Sequence, residues 1–130
     1  MKFDIFDSVR SKGQLCSNEL LLRKTHDESL IPLYNKIARC TDKERQQRLK
    51  KRLPGITWQA HFPKGRRVNS DAEPSGLYIL DIDHIENPAQ VYNEQVAAHL
   101  TDCDIMAVHI TPSRRGLRIV AVCREGIESY

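Results

Sequence analysis

Gly76-Leu77-Tyr78-Ile79-Leu80-Asp81-Ile82-Asp83-His84 is the stretch on which the reading of this chain turns. Residues 77–83 read as an apolar strand that ends in Asp81-Ile82-Asp83. Side chains at i and i+2 of a strand share a face, about 7 Å apart, so Asp81 and Asp83 point together and Ile82 points away. Neighbouring carboxylates disfavour joint ionisation unless a cation lies between them. Magnesium or manganese removes that conflict, because hard cations take oxygen ligands: one or two carboxylates, with substrate phosphates and water completing the shell. Two such ions can clamp the attacking and leaving oxygens of a phosphoryl displacement. The plainer alternative is that both acids end a strand and open the turn over 83–88.

Downstream, residues 105–110 are apolar apart from His109, and Thr111-Pro112-Ser113 interrupts the run before 117–122 resumes it. Between these two expected strands, Ser113 offers a hydroxyl and Gly116 allows close backbone approach or positive φ. Arg114, Arg115 and Arg118 supply guanidinium forks matched to phosphate oxygens. Such a loop suits a triphosphate, although an ordinary hairpin turn with solvated arginines uses the same residues.

The segment 76–84, followed by His109-Ile110-Thr111-Pro112-Ser113-Arg114-Arg115-Gly116-Leu117-Arg118, resembles the primase-polymerase group of the archaeo-eukaryotic primase superfamily. More narrowly, it resembles the primase-like N-terminal domain of mobile-element proteins that also carry a VirE-type helicase-like region. The resemblance runs from the basic segment ending Leu53-Pro54-Gly55-Ile56 through Val122. It implies that Asp81 and Asp83 are catalytic ligands for Mg2+ or Mn2+. It also implies that Ser113, Arg114, Arg115, Gly116 and Arg118 hold the phosphates of a nucleoside triphosphate, and that single-stranded or template DNA is the other substrate. Ser113 and Gly116 match the superfamily's Ser-x-x-Gly-x-His motif, whereas Arg118 stands where many relatives have His. That exchange keeps the positive charge and removes a titratable ring. A third motif, a hydrophobic residue followed by Asp on a later strand, is not found: after Arg118 the acids are Glu125 and Glu128. The resemblance is therefore compatible with a piece of a larger primase-like domain or with a short relative whose metal site is incomplete.

At 130 residues and a net charge of +3, the chain reads as one domain whose charge matters by distribution rather than by sum. Cationic residues gather at 43–52, 64–67 and 114–118. The first window is expected to be a mostly solvated helix capped at Thr41 or Asp42 and stopped by Pro54-Gly55. The second reads as a basic turn. Arg48, Lys51, Lys64, Arg66 and Arg67 are the candidates for nucleic-acid backbone contacts, with a plain surface helix and a hairpin tip as the alternatives. The cysteines Cys16, Cys40, Cys103 and Cys123 show no C-x-x-C spacing, which argues against a structural zinc site and for reduced thiols in a cytoplasmic protein. No apolar run approaches membrane-spanning length.

Periodicity supplies the order of elements. Residues 2–6 suggest a short strand, and Leu30, Leu33, Tyr34, Ile37 and Ala38 form a helical stripe with Pro32 in its first turn. The basic helix, a strand over 56–62 and a polar linker over 68–75 follow. A helix introduced by Asn87-Pro88 is expected to turn Tyr92, Val96, His99 and Leu100 inward. Trp58 and Tyr78 read as core aromatics, Asp102 and Asp104 as capping or turn residues, and His84 as a hydrogen-bond partner of a nearby carboxylate. His109 is expected either to face the site or to be half-buried and satisfied. The fold class is α+β, with a mixed or antiparallel sheet of RRM-like core covered by helices. Residues 1–54 form a helical portion and 55–130 the sheet portion. A nucleotidyltransferase module of the primase type leads the functional readings, and a non-catalytic nucleic-acid-binding domain follows it. A rolling-circle nuclease falls behind for want of a histidine-hydrophobic-histidine motif.

Overall fold

A computed structural model describes residues 1–125, so Glu128 lies outside the described part. The class is α+β, with small antiparallel sheets and short helices. β1 (Asp4–Phe6) is buried at every position and lies between β2 (Gln14–Leu15) and β3 (Gly55–Thr57). α1 (Asn18–Thr25), which periodicity does not flag, is capped by the Ser17 side chain; of its consecutive leucines Leu20 is buried and Leu22 exposed. A helical turn leads into α2 (Ile31–Arg39), where the expected stripe is present but Ile37 is its one fully buried member. α3 (Lys43–Lys50) carries no buried residue, and Asp42 caps it by accepting the Arg45 amide at 2.7 Å.

The strand expected over 56–62 is two strands. β3 ends at Thr57, the chain turns at Trp58-Gln59, and β4 (Ala60–His61) pairs with β5 (Glu73–Pro74) in a separate sheet. The Thr57 hydroxyl secures the turn with bonds to the carbonyls of Asp4 and Ala60. β5 also gives part of the expected linker a structure.

The third sheet runs β6 (Leu77–Ile82), β8 (Leu117–Val122), β7 (Ile105–Ile110), antiparallel throughout, with β8 in the centre. Leu77, Val120 and Trp58 anchor one face, joined by Phe3, Ile56, Ile79 and Ala107. α4 (Pro88–Val91), capped by Asn87, continues as a wide helix over Tyr92–Val96 and a tight turn over Ala97–His99. Val96, Leu117 and Ile119 form the core beneath it. Because the rotation per residue changes along this segment, His99 and Leu100 swing into solvent instead of turning inward. The helix covers β7 and β8 but not β6, which leaves Tyr78, Leu80 and Ile82 exposed; Tyr78 is therefore not a core residue. Trp58 is one, at 4.8 Å from the Phe3 ring.

Among the described residues no helix is long and apolar enough to cross a membrane.

Candidate active site

Strand register brings the site together. Asp81 pairs with Arg118 across β6 and β8, and His109 pairs with Arg118 across β7 and β8. One row therefore runs Asp81, Arg118, His109 over three strands, at the end of the face that Leu77, Ile79 and Val120 fill further along. The row is open to solvent on its outer side: the Asp81 and Arg118 side chains are 37% and 32% exposed.

Arg118 grips Asp81 in a fork, with Nε to Oδ1 at 2.7 Å and Nη2 to Oδ2 at 2.8 Å. The guanidinium holds the Asp81 carboxyl below the usual carboxylate range, and the carboxylate in turn raises Arg118. His109 remains exposed as a residue, yet burial of its ring among its neighbours pushes the imidazole below its ordinary value. The nearby Arg118 charge adds to that, and Asp81 opposes it.

Asp83 lies just beyond β6, close enough to add to the field at Arg118. A side chain at Gly116 would meet Thr111 Oγ1 at 2.7 Å, the Ile82 carbonyl at 3.0 Å and Asp83 Oδ1 at 3.1 Å. Absence of a Cβ thus lets the turn backbone and the second acid of the Asp-x-Asp pair approach closely. The Ile85 amide then bonds the Arg115 carbonyl at 2.8 Å, stitching the two motifs together past His84, whose φ is 59°. Among the described residues, His84 makes no hydrogen bond to a carboxylate.

The loop is a tight turn, with the Thr111 amide donating to the Gly116 carbonyl and the Arg114 amide to the Thr111 carbonyl. Ser113 Oγ sits 3.4 Å from Thr111 Oγ1. Arg114, at φ 60°, donates to Asn35 Oδ1 of α2 at 2.5 Å, and Arg115 extends into solvent. Beside the turn, a cleft of about 460 Å³ is bounded by Ile31, Tyr34, Asn87, Ile110, Pro112 and Arg114. The tether Asn35 and the floor residue Thr111 carry no sequence signal of their own, since a lone Asn on a polar helix face and a Thr before Pro are ordinary.

The outlying basic residues divide. Arg67 stacks on Phe6 at 4.7 Å and donates to the Val9 carbonyl, and Lys64 pairs with Asp71 at 2.8 Å, so both serve the fold. Arg66 and Lys51 are exposed and have no ion-pair partner among the described residues, and Arg48 is 3.9 Å from Glu44.

Two carboxylates, one guanidinium and a glycine-backed turn thus converge at one end of a sheet. For a divalent cation the donor set fits in part. Among the described residues no guanidinium bonds the Asp83 oxygens, while both Asp81 oxygens accept from Arg118. The arrangement suits an ion held at Asp83 together with an anion able to draw Arg118 off Asp81. No curated protein and no solved structure matches the chain. The sequence profile described as BT4734-like, N-terminal domain matches residues 48–129, a span that contains the Asp-x-Asp strand, the glycine turn and Arg118. With well over half of its length matched, the chain belongs to the BT4734-like N-terminal domain family.

Proposed function

We propose that the chain is a nucleotidyltransferase module of the primase-polymerase type, joining nucleotides on single-stranded or template DNA and working in the cytoplasm beside a fused or separate helicase-like region. One observation carries the reading: Asp81 and Arg118 meet in register while Asp83 lies against Gly116, so acid pair and basic turn form a single surface. Asp83, and Asp81 once released, would hold Mg2+ or Mn2+, which neutralises phosphate charge during transfer. Arg118 exchanges the Asp81 carboxylate for a phosphate oxygen of the triphosphate, a swap between two anions that keeps the guanidinium paired throughout. Ser113 and Arg115 add donors to the same phosphates, and the apolar walls of the cleft by Tyr34 take the base. The protein's part in catalysis is then positioning and charge compensation with no covalent intermediate on its side chains, as a hydroxyl displaces pyrophosphate from the triphosphate. Lys51 and Arg66 contact template phosphates.

A direct test incubates the chain with manganese, labelled nucleotide and a single-stranded template. Extension is expected, and it should vanish in the Asp81→Ala, Asp83→Ala double variant. Extension that persists there rejects the site. The Arg118–Asp81 fork also favours a second reading, a nucleic-acid-binding domain with a degenerate primase fold, because a neutralised Asp81 no longer demands a metal. Metal-independent DNA binding without incorporation would select it.

A further inference from the structure

His99, Asp102 and Cys103 bring one nitrogen, one oxygen and one sulfur donor together on the exposed turn that leads into β7, with their ligand atoms all within 4.8 Å of one another. We propose that this trio is a surface site for one borderline-soft divalent transition-metal ion of the zinc type, separate from the acid pair at Asp81 and Asp83. Residues at i, i+3 and i+4 share one side of a helical turn, and the backbone here is helical at its start. The Cys103 amide donates to the His99 carbonyl at 3.1 Å and the Ile105 amide to Leu100 at 2.9 Å, which fixes the turn that presents the three side chains.

The distances suit the chemistry. Zinc bonds of about 2.0–2.3 Å in a tetrahedron set ligand separations of about 3.3–3.8 Å. His99 Nδ1 and Asp102 Oδ2 are 3.0 Å apart and already share a proton that a cation would replace. Closing the remaining gap asks for about 1 Å of movement from exposed side chains, within reach of a rotamer adjustment. Among the described residues no guanidinium blocks Asp102, because the neighbouring Arg124 is taken up by Asp104. Among the described residues this is the one trio of His, Cys, Asp or Glu side chains gathered so closely. Imidazole and thiolate select zinc-like ions over magnesium, whereas the carboxylate pair at the sheet end does the reverse. Three protein ligands leave the fourth position to water, the pattern of an open site. Binding releases the Cys103 thiol proton, and any proton on His99, to solvent, with no change of oxidation state.

Cobalt(II) serves as the probe, titrated into the full chain with a phosphine reductant present. One equivalent is expected to produce a thiolate-to-cobalt charge-transfer band in the near ultraviolet, which added zinc displaces. Cys103→Ser should abolish the band, and His99→Ala should weaken cobalt binding by about tenfold or more. Asp102→Asn should keep the band at lower affinity, a check that does not depend on the cysteine variant folding. The Asp81→Ala, Asp83→Ala double variant should leave the band unchanged, which separates this site from the nucleotidyl-transfer reading. A band that survives in Cys103→Ser, or none in the wild-type chain at large cobalt excess, overturns the proposal.

Discussion

Arg118 is the residue that sets the character of the sheet end. It occupies the centre of the row, and its fork neutralises Asp81 in the absence of any other cation. Replacing it with alanine removes a positive charge from beside two carboxylates. Manganese should then bind about tenfold more tightly when no nucleotide is present, while nucleoside triphosphate binding weakens. Isothermal titration calorimetry of each ligand reads both signs, and unchanged manganese affinity would remove Arg118 from the site. Gly116 makes a second case. Alanine there drives a methyl into Thr111 Oγ1 and the Ile82 carbonyl, so a stability loss of about 1–3 kcal/mol in urea denaturation is expected, together with a displaced Asp83.

Titration at the row has a definite direction. Asp81, held below its ordinary value of 3.8, contributes stability that is present above that pH and is lost as pH falls through its lower folded value. His109, pushed below 6.5, is kept neutral by the fold, so protonation of the unfolded chain weakens folding as pH drops from 6.5 toward the folded value. Stability measured across a pH series should therefore fall in two separate windows. His109→Asn should flatten the upper window and leave the lower one. If the upper window persists in that variant, it belongs to another group.

At the level of elements, Asp4 ties the first strand to the fourth. Its carboxylate, 1% exposed, accepts the Phe62 amide at 2.6 Å and His61 Nδ1 at 2.7 Å. Asp4→Ala removes the carboxylate that links His61 and the Phe62 amide to the first strand, and a loss of about 3–5 kcal/mol is expected from equilibrium denaturation. Nothing in Lys2-Phe3-Asp4-Ile5-Phe6 announces this role, because an acid inside a short apolar run reads as the polar half of an alternating strand. The same limit explains the other discrepancies. β6, β7 and β8 are legible because each is a six-residue run that is apolar but for one residue, Asp81, His109 and Arg118 respectively, and is set off by turn residues. β4 and β5 are two residues each, too short for any period, and exist through pairing with each other. Asn87 and Asp42 are legible as caps since capping is local chemistry. The exposure of His99 is not legible, because a change of helical winding after Val91 has no residue signature.

For the whole molecule, the candidate site was legible as two motifs but not as one surface. Ser113 and Gly116 can be picked out along the chain, yet the fork between Asp81 and Arg118 depends on β8 lying between β6 and β7, a strand order that no local pattern specifies. The portions on either side of residue 54 share a sheet, since the N-terminal one supplies β1 and the other β3. That mutual dependence predicts one cooperative transition rather than two. Tryptophan fluorescence from Trp58 and far-ultraviolet circular dichroism should give coincident urea curves, and separated midpoints would show independent units.

The tether from Arg114 to Asn35 spans 79 positions in the chain and crosses the point where the family profile begins. What heredity has kept recognisable and what cohesion requires are thus two different territories. A fragment starting at residue 48 would expose a flank of β3, remove the Asp4 carboxylate that binds the His61 and Phe62 region, and cut the mooring of the arginine turn. Anyone trimming this protein to its recognisable portion should expect to recover a sequence signature in a chain that has lost its means of standing.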